Sequence, residues 1–300
     1  MFHIASFYRF TSLDDHARLR AGIVEVCRDN AVKGTILLAP EGLNGTIAGS
    51  EGGVEAVLAH LRADPRLEAM AVRWATSDED PFLRLKVRLK REIVSLGVGH
   101  VDPSITATRV PAADWNDLVR EPGTIVVDTR NAYEVAIGTF QGAVDPGTES
   151  FTDFPAWIEA SGIDRDAPIA MFCTGGIRCE KASAWLTDRG YSNLFQLDGG
   201  VLAYLEQIDA SESLWDGECY VFDRRVSVGH GLVPGAMEIC PNCNTVVDDA
   251  GRAAPGYRMG VMCGDCHNEI SQDRMERFTE RQKQIDLATA RGTTHLGRST

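Results

Sequence analysis

The sequence predicts an α/β multidomain chain: a ferredoxin-like α+β sandwich, then an α/β unit on a parallel sheet, then a small cysteine-rich segment of zinc-ribbon type. Three observations carry this. The first hundred residues alternate signals in the order strand, helix, strand, strand, helix, strand. The next hundred hold short apolar runs of the kind buried in a parallel sheet, separated by helical segments. Beyond about residue 211 come two C-x2-C pairs and then a charged tail. The expected divisions are 1–97, 110–212, 213–272 and 273–300.

Bulk properties agree with a modular chain. Its 300 residues are 44% hydrophobic, enough for two or three cores. The net charge of −13 gives no general attraction to nucleic acid or anionic membrane, so such a partner needs a local basic patch. No apolar run reaches the length of a membrane span. The opening "MFHIASFYRF" lacks the features of a secretory signal, which points to the cytoplasm. In that compartment the eight cysteines read as metal ligands or reactive thiols before disulfides.

Within the first unit, "HIASFYRF" reads as a strand and "SLDDHARLRAGIVEVCRDN" as a helix with Ser12 as N-cap and acids in its first turn. "GTILLA" is a buried strand, "EGLNG" a turn into "TIAGS", and "EGGVEAVLAHLRAD" a helix stopped by Pro65. "MAVRWAT" and "LRLKVRLK" supply the remaining strands. The turn-rich stretch from Gly97 to Pro111 reads as a linker.

In the second unit the apolar runs "GTIVVD", "PIAMFC" and "NLFQLDGG" are the parallel strands. Ligand sites in open α/β sheets lie beyond the carboxyl ends of strands, where Asp128 and Cys173 stand. "CTGGIRC" (173–179) runs from such an end into a helix, so its backbone N–H groups can converge on an anion, with Arg178 adding a fixed charge. A thiol there has a depressed pKa and suits nucleophilic or sulfur-carrying chemistry. Four residues separate Cys173 from Arg178, one fewer than in a C-x5-R phosphatase loop, which fits a single bound sulfur better than a phosphoryl group. No histidine occurs from residue 101 to residue 229, so no Cys–His pair operates within this unit.

"CTGGIRC" before "EKASAWL", with "VDTRNAYEVAIGTFQGAV" upstream, resembles a rhodanese domain; Asp128, Arg130 and Glu134 stand where rhodaneses keep them. With "EGLNG" near residue 41 and "RLKVRLKREIV" at 84–94, residues 1 to about 235 resemble the tRNA wobble-uridine hydroxylases. That resemblance implies an acylphosphatase-like first domain, a rhodanese domain and use of molecular oxygen to make 5-hydroxyuridine at position 34 of tRNA. It makes Cys173 the persulfide-forming cysteine and Thr174, Gly175, Gly176, Ile177 and Arg178 its cradle. Cys179, where ordinary rhodaneses have Ser or Ala, either resolves an oxidised Cys173 into a disulfide or is simply packing. Asp128 and Arg130 belong to the reactive centre or form an ion pair that orders the loop. No flavin, haem or two-histidine-one-carboxylate signature is visible, so hydroxylation rests on the resemblance.

Two further patterns stand outside the loop. In "LRLKVRLK", Leu83, Leu85, Val87 and Leu89 alternate with Arg84, Lys86, Arg88 and Lys90, placing four cations on one face of a strand. The row either binds tRNA phosphates, as the resemblance favours, or protects a solvated edge strand. Cys240, Cys243, Cys263 and Cys266 form two C-x2-C pairs nineteen residues apart, the spacing of a structural zinc ribbon. The tail from residue 273 reads as a solvated, Arg-rich helix. The leading expectation is an oxygen-dependent tRNA hydroxylase that engages the anticodon arm, without DNA or membrane partners; the alternative is a sulfurtransferase carrying sulfane sulfur on Cys173.

Overall fold

The computed structural model describes residues 1–99, 101–102 and 106–292. The chain opens with β1 (Phe2–Phe10), α1 (His16–Asp29), β2 (Lys33–Ala39), β3 (Gly42–Gly49), α2 (Glu51–Arg62), β4 (Ala71–Ser77) and β5 (Leu85–Leu89). Their sheet order is β4-β1-β3-β2-β5. The first four strands give the split βαβ arrangement, and β5 adds an edge parallel to β2. Alternation sets the two faces: Ala5, Phe7, Ile36, Leu38 and Ile47 turn into a core with Ile23, Val54 and Leu58 of the helices. The opposite face carries Ser6, Tyr8, Thr35, Asn44 and Thr46, which cross-strand register holds side by side.

Local caps decide the helix ends. The Ser50 side chain accepts from Gly53 N–H at the start of α2. The expected cap at Ser12 is corrected: α1 begins at His16, after Asp15, with no acid in its first turn. Leu13 to His16 form a turn instead, closed as His16 N–H donates to Leu13 O and tied down as Leu13 N–H donates to Pro40 O.

The linker expectation is also corrected for its described residues. Val101 and Ala107 are buried in the core of the second domain, so the described part of this stretch packs on that domain rather than hanging free. His100 and residues 103–105 lie outside the described residues.

The second domain runs β6 (Thr108–Val110), α3 (Ala112–Arg120), β7 (Ile125–Asp128), α4 (Ala132–Val135), β8 (Gly138–Phe140), α5 (Phe154–Ala160), β9 (Ile169–Phe172), α6 (Ile177–Thr187), β10 (Leu194–Leu197) and α7 (Gly200–Gln207). Strands β6-β10-β9-β7 form a parallel sheet. Both faces are covered, which is why β9 is buried at every position. Next come β11 (Trp215–Gly217), paired with β8, and the hairpin β12 (Cys219–Tyr220) and β13 (Ser227–Val228). Trp215, Cys219, Val221, Val228 and Leu232 share a core with Phe140 and Phe172. The expected boundary at residue 213 therefore falls inside this packing, and the four-cysteine unit starts some twenty residues later.

That last unit holds β14 (Glu238–Ile239), β15 (Val246–Val247) and α8 (Asp249–Ala253), followed by α9 (Gln272–Ala290). The cluster of four cysteines is compatible with a zinc ribbon. As expected of the tail, α9 is helical and buries none of its residues.

Candidate active site

Strand β9 ends at Phe172, and the chain turns through residues 173–176 into α6. Gly176, at φ 97°, is the N-cap residue and offers no side chain to cap the helix. The first N–H groups of α6 are therefore left for another acceptor, and the Cys173 sulfur takes that place. Gly176 N–H donates to Cys173 Sγ at 3.1 Å, and those of Arg178 and Cys179 also bond to it. Below the loop, Val201 N–H and Leu202 N–H of α7 donate to Cys173 O and Thr174 O at 2.9 and 3.1 Å. Gly200 makes this approach possible: a Cβ there would lie 2.4 Å from Cys173 O.

Burial opposes ionisation of Cys173, but the Cys179 thiol, the Arg178 charge and the N–H nest outweigh it, lowering its pKa from 9.0 to about 5. Cys179 moves the other way, because burial and the neighbouring thiolate both disfavour a second negative charge. Its sulfur lies 3.5 Å from Thr129 Oγ1. The two shifts run in opposite directions, so a negative charge is favoured on Cys173 over Cys179.

Arg178 is buried and held by Glu134 through two bonds of 2.6 and 2.8 Å, and Thr174 Oγ1, 3.2 Å from Arg178, also donates to the same Glu134 carboxylate. Glu134, itself without exposed surface, offsets much of the positive charge that reaches the loop. Asp128 and Arg130 form a separate ion pair of 2.6 Å, both at 0% exposure. Thr139 donates to Asp128, Arg130 donates to Gly138 O, and the guanidinium stacks 4.9 Å from the Trp215 ring. This couple sits beneath the loop and not among the residues that line the cleft above it.

The first domain closes over the loop. Tyr8 Oη donates to Glu180 at 2.9 Å, Arg109 reaches the same carboxylate at 2.8 Å, and Arg73 pairs with Glu206. A Cβ on Gly176 would stand 3.2 Å from Tyr8 Oη. Helix α6 is buried nearly all round because one side meets the sheet and the other meets this domain. Between the polar sheet face and the loop lies a cleft of about 580 Å³, bordered by Ser6, Thr46, Arg73, Arg109, Cys173 and Arg225. Cys173 lines its inner end without exposed surface of its own. A second hollow of about 660 Å³ near Trp74 carries Glu51, Glu55 and Asp78 but no thiol.

The basic row lies on the sheet face that borders this cleft: Lys86 is opposite Thr35 and Arg88 opposite Leu37, both cleft residues. Arg84 and Lys90 flank the strand. Its apolar alternation holds only in part. Val87 is buried and Leu85 packs on the core, whereas Leu83, ahead of the strand, and Leu89, at its last position, are exposed. Sequence reasoning missed Tyr8, Arg73, Arg109 and Glu180, whose shared position depends on the docking of two domains.

In the last unit, sulfur separations are 3.6 Å for Cys240–Cys266, 3.5 Å for Cys243–Cys263 and 3.6 Å for Cys263–Cys266. Four thiolates at about 2.3 Å from a tetrahedral ion would be about 3.8 Å apart, and a disulfide would need about 2.05 Å. The donors thus fit a metal and not a pair of bridges. Among the described residues no helix is long and apolar enough to cross a membrane.

Fold and site define a rhodanese-type thiol domain joined to an acylphosphatase-like domain, and the chain matches both: residues 2–93 the UPF0176 acylphosphatase like domain, residues 112–207 the rhodanese-like domain. It is 49% identical over 299 residues to the tRNA uridine(34) hydroxylase of Agrobacterium fabrum (strain C58 / ATCC 33970), covering 99% of this chain and 95% of that one. The proteins of the same name from Caulobacter vibrioides (strain NA1000 / CB15N) and Acaryochloris marina (strain MBIC 11017) are 48% and 46% identical, each covering 99% of this chain and 96% of theirs. This chain belongs to the tRNA uridine(34) hydroxylase family.

Proposed function

We propose that this protein is a cytoplasmic oxidoreductase that hydroxylates uridine 34 of tRNA to 5-hydroxyuridine, with the Cys173 loop as its reactive centre. The observation that carries this reading is the correspondence with hydroxylases along nearly the whole of both chains, cysteine loop included. Molecular oxygen is the co-substrate: one atom enters at C5 of the base and the other is reduced to water by two electrons and two protons from an external reductant, in a monooxygenase-type reaction. The anticodon arm lies across the polar face of the first domain, with Arg84, Lys86, Arg88 and Lys90 on its phosphates.

Cys173 is the reacting thiolate, and Thr174, Gly175, Gly176 and Ile177 shape its cradle. Arg178 supports the negative sulfur while Glu134 keeps that support moderate. Asp128 and Arg130 act as positioning residues beneath the loop. Cys179 resolves an oxidised Cys173: a sulfenic acid and a thiol condense to a disulfide and water. A sulfur with no exposed surface reacts only once the walls of the cleft part. Cys240, Cys243, Cys263 and Cys266 hold a zinc ion that folds the last unit and has no vacancy for substrate.

The N–H nest around a single sulfur favours one second reading, a sulfurtransferase that loads sulfane sulfur on Cys173. Nucleoside analysis of tRNA from a deletion strain separates the two. Loss of 5-hydroxyuridine and its derivatives, restored by the wild-type chain but not by Cys173→Ser, is the expected result; loss of a thiolated nucleoside instead would select the sulfurtransferase.

A further inference from the structure

The hairpin β12–β13 reaches across the domain boundary. At its tip, Arg224 N–H donates to Pro81 O at 3.1 Å and the Arg224 guanidinium donates to Asp80 O at the same distance. Beside these anchors stands Phe222, which lines the cleft and is nonetheless 60% exposed. Its neighbour Val221 is buried at 4%, so the hairpin already has its apolar contact with the core and Phe222 adds little to it. One edge of the Phe222 ring meets Tyr220 at 5.2 Å, and Tyr220 meets Tyr133 at 5.2 Å, both edge to face. The three rings make a stiff ladder at the cleft mouth, with the outermost ring left open.

The surroundings say what fits that ring. Arg73, Arg109 and Arg225 border the same cleft, each paired with a carboxylate, those of Glu206, Glu180 and Asp223. Lys86 and Arg88 continue the cationic surface on the same sheet face, and among the described residues their side chains have no ion-pair or hydrogen-bond partner. One exposed ring beside a charged cleft is too small an apolar area for a stable protein contact. It matches the π-face of a nucleobase on a strand whose phosphates the cations track. Position 34 of tRNA lies in the anticodon loop, where bases are unpaired and can be splayed apart. An enzyme acting on one base must take it out of the stack, and its neighbours then need new stacking partners.

We propose that Phe222, stiffened by Tyr220 and Tyr133, is the stacking platform for an unpaired base adjacent to the uridine that enters the cleft. This rests on the tRNA reading above and adds to it a binding site for the flanking nucleotide. The test uses the full-length protein and a synthetic hairpin of the anticodon arm carrying 2-aminopurine next to uridine 34. Wild-type protein is expected to change the 2-aminopurine fluorescence on binding. Phe222→Ala should abolish that change and weaken binding roughly 5- to 150-fold, the loss expected on removing one base–aromatic stack, while leaving the salt dependence intact. Phe222→Trp should retain both signals. Equal affinity and equal fluorescence change with Phe222→Ala overturns the platform alone, provided the deletion strain lacks 5-hydroxyuridine. A wild-type chain that binds no anticodon-arm RNA overturns the tRNA reading and the platform with it.

Discussion

Lys181 Nζ, on a side chain only 1% exposed, lies 2.8 Å from Glu41 Oε2 across 140 positions of sequence. Glu92 Oε2 and Val94 O, both 2.9 Å away, complete its shell. This cluster fastens the helix that follows the reactive cysteine to the first domain and its connection, so the same helix carries the N–H nest at one end and the domain clamp a turn later.

Lys181→Met is expected to destabilise the protein by about 3 to 5 kcal/mol, since it leaves two carboxylates facing each other without their cation. Denaturant titration reads the loss, and small-angle scattering should show a larger radius of gyration. Burial raises the Glu92 pKa, but the Lys181 hydrogen bond and backbone N–H groups outweigh it and the net shift is downward. The sign follows: a depressed carboxylate stabilises the fold above its unfolded pKa, and the contribution is lost as pH falls through the folded value. Acidification below the ordinary carboxylate range should therefore loosen the clamp.

Thiolate absorbance near 240 nm, taken as the difference between wild type and Cys173→Ser, should titrate near pH 5 and stay flat up to neutrality. The folded pKa is below the unfolded value, so ionised Cys173 favours the fold fully above pH 9, progressively less as pH falls, and not at all below about 5. A titration near 9 would remove the thiolate from the proposed chemistry. Cys179→Ala should raise the midpoint, because the Cys179 thiol supports the sulfur of Cys173 through a hydrogen bond that alanine cannot make.

Metal analysis of the purified protein should return one zinc per chain, and Cys263→Ser should lose it. Chelation is expected to unfold the unit around Val247 and Tyr257, whose small core is built on the cysteines themselves. The rhodanese core should keep its melting transition, because Trp215 and Leu232 pack there and not on the cysteine unit.

Changing Arg84, Lys86 and Arg88 to Ser should weaken tRNA binding and flatten its dependence on salt by about 2 in the logarithmic slope. Unchanged binding would leave the row as edge protection, a part that Arg20 already shares by donating to Val87 O.

Local chemistry was legible in the sequence. Strand and helix order, the turn from Cys173 to Cys179, the alternating cations of β5 and the two C-x2-C pairs are all written within a few residues, and hydrophobic period, glycine and thiol spacing act over that range. Positions that depend on which surfaces meet were not. Asp128 and Arg130 stand beside the reactive loop in sequence order, yet the packing of Trp215 and Phe172 seals them beneath it. Tyr8 meets Glu180 across 172 positions, and Phe222 reaches the cleft only because its hairpin crosses to Pro81. Sequence alone determined the parts and singled out Cys173 as the candidate sulfur; the tertiary structure decided what roofs that sulfur, because ion pairs between distant residues exist only once two independent cores have docked.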